Sequence, residues 1–106
     1  MPEYTRVVVT GLGCVSALGH DVQETWARLE RGESGIGPIT RASADMLNVK
    51  VAAEVKAYDE AAHFDERERA ALDRYAQFAL LAAREAVDDA GLDFAADEPL
   101  RMETAV

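Results

Sequence analysis

The chain has 106 residues, of which 49% are hydrophobic and 29% are charged, and its 20 acidic and 11 basic side chains give a formal net charge of −9. This balance fits one small domain, excludes collagen-like, low-complexity and disordered proteins, and disfavours nucleic acid and anionic membranes as partners. Because no apolar run reaches the roughly 18 residues of a membrane span and the start lacks a signal-peptide pattern, we expect a cytoplasmic location. One cysteine, Cys14, and two widely spaced histidines predict neither a disulfide nor a metal site.

Residues 6–13, Arg-Val-Val-Val-Thr-Gly-Leu-Gly, predict a strand that is buried on both faces, as in a parallel sheet. Gly11 and Gly13 raise the alternative of a dinucleotide-binding loop. However, the fingerprint lacks its third glycine, where Ser16 stands, and the next helix begins only near Asp21. We therefore interpret the two glycines as permitting a sharp turn out of the strand.

A first helix is predicted from Asp21 to Gly32. Asp21 and Glu24 have the spacing of a capping box, and Gly32 is a typical stop. Val22, Trp26 and Leu29 share one face, which a strand-helix-strand crossover would pack onto the sheet. If the indole ring is buried in this way, Trp26→Ala costs about 3–5 kcal/mol.

The middle of the chain predicts little regular structure. Residues 32–48 contain tight turns around 35–38 and predict a loop with no long element. The alternation in residues 49–55 predicts a short, partly exposed strand, and residues 58–64 predict a helical turn.

A second, long helix is predicted to start at Asp65, which again stands three residues before a glutamate, Glu68, and to end at Gly91. Leu92 is expected to fold back on Val87 in a Schellman-type closure. The predicted buried stripe consists of apolar residues at helical spacing: Leu72, Tyr75, Ala79, Ala83, Val87 and Ala90.

The same helix is unusually apolar. In residues 75–83 only Gln77 is strongly polar, which predicts that the helix is enclosed on most sides. Asp88 and Asp89 oppose the helix dipole in the last turn, and the sequence offers no reason for them. Because residues 101–106 look like the entrance to a further strand, we expect the 106 residues to belong to a larger fold; the alternative is a partner subunit that covers the helix.

Several residues have a simple structural interpretation. Cys14 follows the strand among small neighbours and is expected to be a packing residue, because a nucleophilic cysteine needs a cation, a histidine or a helix N-terminus to lower its pKa. His63 is interpreted as a helix-entry residue. The mixed-charge run at 65–69 is expected to be a solvated first turn in which Arg69 pairs back to Asp65 or Glu66.

Taken together, these segments resemble a known family. Residues 7–13, 32–39, 53–55 and 73–79, with Gly19, Trp26 and Leu29, closely resemble the N-terminal region of β-ketoacyl-[acyl-carrier-protein] synthases, above all the elongating type II enzymes. The resemblance covers nearly all of residues 1–106, but only roughly the first quarter of a family member. It implies an α/β, thiolase-like fold of stacked layers, incomplete in this chain, and a homodimer.

The resemblance also implies an activity. An acyl group is transferred from acyl carrier protein or coenzyme A to a cysteine, malonyl-acyl carrier protein loses carbon dioxide, and its carbanion attacks the acyl thioester. No cofactor or metal is implied. The catalytic cysteine and histidine pair of the family lie beyond residue 106, so no catalytic residue is carried over to this chain, and Cys14 is not the nucleophile.

One functional region of the family falls within the chain, at the helix start near Asp65, where bacterial members present basic residues to the acidic carrier protein. Arg67 and Arg69 fit that role, whereas Glu66, Ala70 and Ala71 stand where further positive charge is expected. This departure predicts a weakened contact.

Two alternatives stay open from the sequence. A polyketide ketosynthase, or its cysteine-less chain-length partner, has the same fold and is not excluded by any residue of the chain. A stand-alone interaction module would instead be a monomer with a cooperative melt. We expect the 106-residue chain alone to aggregate, dimerise or behave as a molten state that binds hydrophobic dyes.

Overall fold

The computed structural model describes residues 3–103. In chain order the elements are α1 (Val22–Glu30), β1 (Ile36–Pro38), β2 (Val51–Ala53), a one-turn 3₁₀ helix (Glu60–Ala62), α2 (Glu66–Ala71), α3 (Arg74–Ala90) and α4 (Glu98–Glu103). Among these residues, no helix is long and apolar enough to cross a membrane.

The predicted first strand does not form. Residues 6–13 have no regular secondary structure, and Val7 and Val9 are 89% and 79% exposed. A strand needs a neighbour to accept its backbone hydrogen bonds, and the only sheet among the described residues is the β1-β2 ribbon. The prediction of a strand buried on both faces is therefore wrong for this structure.

Helix α1 agrees with its sequence signals. The carboxylate of Asp21 accepts a 2.8 Å bond from the backbone N–H of Glu24, and Gly32 follows the helix with φ +71°. The carboxylate of Glu24 accepts from the N–H of His20 at 3.2 Å, one residue earlier than a capping box requires. The indole of Trp26 is 57% exposed, so its predicted burial is wrong, because no sheet covers this face in residues 3–103.

The two strands form an antiparallel ribbon. Ile36 pairs with Ala53 and Pro38 pairs with Val51, so the strand predicted at 49–55 is confirmed in its central part. Its partner β1 lies in the stretch predicted as a loop with no long element. Residues 60–62 form the helical turn predicted within 58–64.

The predicted long helix is two helices. The capping box of Asp65 and Glu68 is confirmed at the start of α2, but Leu72 then takes an extended conformation with φ −114° and ψ 123°. Helix α3 closes as predicted: Gly91 has φ +70°, and the N–H of Leu92 donates to the carbonyl of Val87 at 3.2 Å.

The predicted apolar stripe of α3 is covered only in part, at Val87 and Ala90, which are half-covered. Tyr75 in the predicted stripe is 75% exposed, and Ala79 and Ala83 are exposed as well. Gln77, the polar exception in the apolar stretch, is 1% exposed. In α3 the residues that are buried or half-covered are Arg74, Ala76, Gln77, Phe78, Leu81, Ala82, Glu85, Ala86, Val87 and Ala90.

The described part of the chain is open in shape. Its radius of gyration is 18.0 Å, whereas a compact domain of this length has about 13 Å. Its accessible surface is 8600 Å², against about 5,800 Å² for a compact protein of this mass. Phe64, 3% exposed, is the one buried hydrophobic side chain in residues 3–103. Helix α4 replaces the strand predicted at 101–103, and 104–106 lie outside the described residues.

Candidate functional site

The segment around the two early glycines lies directly against α3. A Cβ atom added at Gly11 would lie 2.6 Å from the backbone nitrogen of Ala90, and one at Gly13 would lie 2.7 Å from the carbonyl carbon of Ala82. Among the described glycines, positive φ angles occur at Gly32 and Gly91 only. Gly11 and Gly13 are thus required for close approach to a helix backbone rather than for the turn that we expected.

Carboxylates of α3 hold this segment in place. The N–H of Leu12 donates to Asp89 at 3.0 Å, and the N–H of Cys14 donates to Glu85 at 2.8 Å. The second oxygen of Glu85 accepts from the N–H of Val22 at 3.1 Å, at the first residue of α1. These bonds explain why Asp89 stands against the dipole of α3, and they assign to Glu85 a role that the sequence analysis missed. The available signal was two carboxylates four residues apart near the C-terminal end of an apolar helix.

Cys14, in the same segment, is half-buried. Its backbone N–H donates to the carboxylate of Glu85. A negatively charged group does not activate a thiol, because it disfavours the thiolate.

The two candidate docking arginines lie on α2. Arg67 is exposed, and Arg69 is half-buried. The predicted pairing of Arg69 with a nearby carboxylate takes another form, because its Nε donates to the backbone carbonyl of Asp65 at 3.4 Å. Glu66 and Glu68 are exposed on the same short helix, so α2 presents mixed charge to solvent.

The side-chain amide of Gln77, on α3, is buried and contacts residues just before and just after α2. Oε1 of Gln77 accepts from the hydroxyl of Tyr58 at 2.6 Å, and its Nε2 donates to the carboxylate of Glu60 and to the carbonyl of Leu72, both at 3.1 Å. The side chain is 1% exposed, and all of its polar atoms have partners. Sequence reasoning missed this role, although a single polar residue in an apolar helix is the signal that points to it.

Aromatic and cationic groups surround Tyr58. Its ring stacks on His63 at 5.8 Å and meets the edge of Phe78 at 4.8 Å. The guanidinium of Arg74 lies 5.0 Å from the centre of the tyrosine ring and donates to the carbonyl of Val55 at 3.2 Å. Burial, and secondly the charge of Glu60, raise the pKa of Tyr58. The hydroxyl therefore keeps the proton that it donates to Gln77.

Comparison with known proteins identifies the family of the chain. The family model described as "Beta-ketoacyl synthase, N-terminal domain" matches residues 4–106. The chain belongs to the β-ketoacyl synthase family. The resemblance inferred from the sequence is thereby confirmed.

Individual relatives agree with this assignment. The chain is 43% identical over 93 residues to "3-oxoacyl-[acyl-carrier-protein] synthase 2" of Staphylococcus aureus (strain COL), covering 88% of this chain and 22% of that protein. It is 40% identical over 104 residues to the protein of the same name from Coxiella burnetii, covering 98% of this chain and 25% of that protein. The chain thus spans about a quarter or less of the length of the curated relatives that it matches.

A solved structure confirms the α/β, thiolase-like ketosynthase fold. The chain superimposes on "The ishigamide ketosynthase/chain length factor" with a TM-score of 0.71 and 38% identity, over 82% of this chain and 22% of that one. Helix α3 and the glycine segment beside it are therefore parts of a β-ketoacyl synthase scaffold.

Proposed function

We propose that this chain is the N-terminal segment of a 3-oxoacyl-[acyl-carrier-protein] synthase, an acyltransferase of fatty acid elongation. The full-length enzyme would condense an acyl thioester with malonyl-acyl carrier protein, releasing carbon dioxide, as a cytoplasmic homodimer. The observation that carries the proposal is the match of residues 4–106 to the family, together with relatives of that name at 40% and 43% identity.

Residues 1–106 would supply scaffold and docking surface to that enzyme, and the catalytic cysteine and histidines would follow them in the chain. Condensation needs a nucleophilic cysteine, an oxyanion hole and groups that stabilise an enolate. The half-buried Cys14, whose N–H is bonded to the carboxylate of Glu85, does not suit the first role. We assign no catalytic, cofactor or metal-binding residue to this segment.

The acidic carrier protein is the proposed partner of α2. Arg67 is exposed and Arg69 is partly so, and exposed cations attract an acidic protein and speed its association. Glu66 and Glu68 on the same helix reduce this attraction, so α2 would contribute modestly to the affinity.

The activity is tested with the full-length gene product, acyl-acyl carrier protein and carboxyl-labelled malonyl-acyl carrier protein. The expected result is one labelled carbon dioxide for each 3-oxoacyl product. The proposal is refuted if the full-length protein forms neither labelled carbon dioxide nor a 3-oxoacyl product. It is also refuted if the gene encodes no cysteine followed by two separated histidines after residue 106.

Docking is tested by charge reversal in the full-length protein. The double substitution Arg67→Glu and Arg69→Glu should weaken binding of carrier protein roughly threefold to tenfold at low salt, and this difference should shrink as salt screens it. Arg101→Glu, an exposed charge on α4, is the matched control and should change the dissociation constant little. An unchanged dissociation constant in the double variant at low salt would remove both arginines from the interface.

A second candidate is a polyketide ketosynthase or its chain-length factor, which the likeness to the ishigamide pair favours. Mass spectrometry of the full-length protein after incubation with acyl-acyl carrier protein distinguishes a ketosynthase from a chain-length factor. A ketosynthase of either pathway carries the acyl group on a cysteine, whereas a chain-length factor without the cysteine carries none. A stand-alone interaction module predicts neither acylation nor condensation.

A further inference from the structure

We propose that Gln77 is a positioning residue: it sets the orientation of α2, and with it Arg67 and Arg69, relative to α3. The inference rests on the proposed function, because its consequence is measured with carrier-protein substrates. Its physical basis is the set of hydrogen bonds that the buried amide makes to both flanks of α2.

Helix α2 has little to hold it in place by itself. It comprises six residues, none of which is buried. A helix this short is not stable alone in water, since isolated helices below about 12 residues are marginal. The position of α2 must therefore be fixed by the residues that precede it and the residues that follow it.

Gln77 binds both of these flanks at once. Through Glu60 it contacts the 3₁₀ helix that precedes α2, and through the carbonyl of Leu72 it contacts the residue that ends α2, each at 3.1 Å from Nε2. Tyr58, on the approach to the 3₁₀ helix, donates to Oε1 at 2.6 Å. One side chain on α3 thus joins the entry and the exit of α2 to the helix beneath them.

The break between α2 and α3 depends on the same amide. Asp73 is the N-cap residue of α3, yet its side chain makes no capping hydrogen bond. The bond from Nε2 of Gln77 to Leu72 satisfies a carbonyl at the point where the backbone leaves α2 in an extended conformation. Without that donor, a partly buried carbonyl loses its partner, and the angle between the two helices is no longer fixed.

The arrangement requires an amide specifically. Gln77 uses both N–H donors and its one acceptor oxygen within a site that is 1% exposed. A glutamate of the same shape keeps an acceptor for Tyr58 but offers no donor, and its charge would face Glu60. A methionine keeps the volume and makes none of the three bonds.

The test uses the full-length enzyme and two acyl donors, one attached to carrier protein and one a small acyl thioester without any protein. For Gln77→Met, KM for the carrier-bound donor should rise about threefold, no more than reversal of both arginine charges would raise it, while kcat and the KM for the small thioester stay within about twofold of wild type. Hydrogen exchange in residues 66–71 should become faster in the same variant. Asp88→Asn, a polar change at an exposed position of α3, is the control and should change none of these values.

Two results of this experiment would overturn the positioning role of Gln77. Equal loss with both donors would mean that Gln77 supports the fold in general, and unchanged kinetics and exchange would mean that it orients nothing; either result overturns the inference. If Gln77→Met does not fold, Gln77→Glu should give the same split between the two donors, and failure of both variants to fold counts against a specific positioning role. A wild-type enzyme that condenses no substrate refutes the proposed function instead. In that case, faster hydrogen exchange of residues 66–71 in Gln77→Met still supports the positioning role of Gln77, and unchanged exchange refutes it.

Discussion

Gly13→Ala tests whether the glycine segment is held against α3 by close backbone contact. The added methyl group would lie 2.7 Å from the carbonyl carbon of Ala82 and 2.9 Å from the nitrogen of Ala86. Both atoms belong to the backbone of α3, which cannot rotate away as a side chain could. We therefore expect the segment to move away from the helix.

The size of the effect follows from two terms. Overpacking against a rigid neighbour costs about 1–3 kcal/mol. The 2.8 Å bond from the N–H of Cys14 to Glu85 is also lost, and a hydrogen bond to a charged group contributes about 1.5–3 kcal/mol, near the lower end here because the site is half-buried. The sum is about 2.5–4.5 kcal/mol for opening of this segment.

Hydrogen exchange in the full-length protein measures this opening. A loss of about 2.5 kcal/mol speeds exchange of the Cys14 amide roughly 70-fold if the segment opens locally. Gly37→Ala is the matched control, because a Cβ atom there meets nothing within 4 Å and its φ is not positive. If the Gly13→Ala and Gly37→Ala proteins exchange and melt alike, the argument from close approach is refuted.

Three further predictions concern charge, pH and exposed surface. Glu85→Gln should lower the free energy of unfolding by about 1–3 kcal/mol, since its carboxylate accepts two backbone N–H bonds, whereas Asp88→Asn should be neutral or slightly stabilising in a urea titration. The Thr40 N–H bond, above all, lowers the pKa of Glu54 below 4.5, so its contribution to stability is full above pH 4.5 and is lost as the pH falls through the lowered pKa; acid titration of Glu54→Gln should lack that loss. The 106-residue chain alone should bind hydrophobic dye, and acrylamide should quench its Trp26, which is 57% exposed; a cooperative melt without dye binding would contradict this.

Local signals in the sequence predicted local structure well. Asp21 begins α1 and Asp65 begins α2 as their side chains require, and Gly32 and Gly91 follow helices with φ +71° and +70°. Each of these features depends on atoms within about five residues, so nothing distant in the chain can change it. The alternation at 49–55 also predicted the strand at 51–53, which forms because β1 lies beside it and pairs with it.

Burial was less predictable, because it depends on what lies beside an element. Val7 and Val9 have the composition of a buried strand and are exposed, and Trp26 lies on the expected face of α1 with no sheet over it. The family comparison gives the physical context, since the matched region is 22% of the Staphylococcus aureus relative. Within residues 3–103, apolar composition alone therefore does not decide which side chains are buried.

The residues of the candidate site also differ in how far the sequence predicts them. Arg67 and Arg69 could be placed on a helix start from sequence, because their positions follow from the Asp65 cap. The isolation of Gln77 in an apolar helix signals a role, but its partners could not be predicted, since Glu60 and Leu72 come together only when the chain breaks between α2 and α3. A hydrophobicity pattern carries no information about a backbone break that is held by a side-chain amide.

The face of α3 that contacts the rest of the chain is determined by the backbone groups of neighbouring segments as much as by hydrophobicity. Its covered face carries Gln77 and Glu85, while Tyr75 on the opposite side is 75% exposed. Segments without regular structure, such as those at Cys14 and Leu72, have N–H and C=O groups that no sheet pairs, and leaving such groups buried without a partner costs about 1–3 kcal/mol each. Glu85 and Gln77 of α3 bind these groups at 2.8 Å and 3.1 Å, and both side chains lie on the covered side of the helix. In a helix this apolar, the few polar residues are therefore the better guide to the side that contacts the rest of the chain.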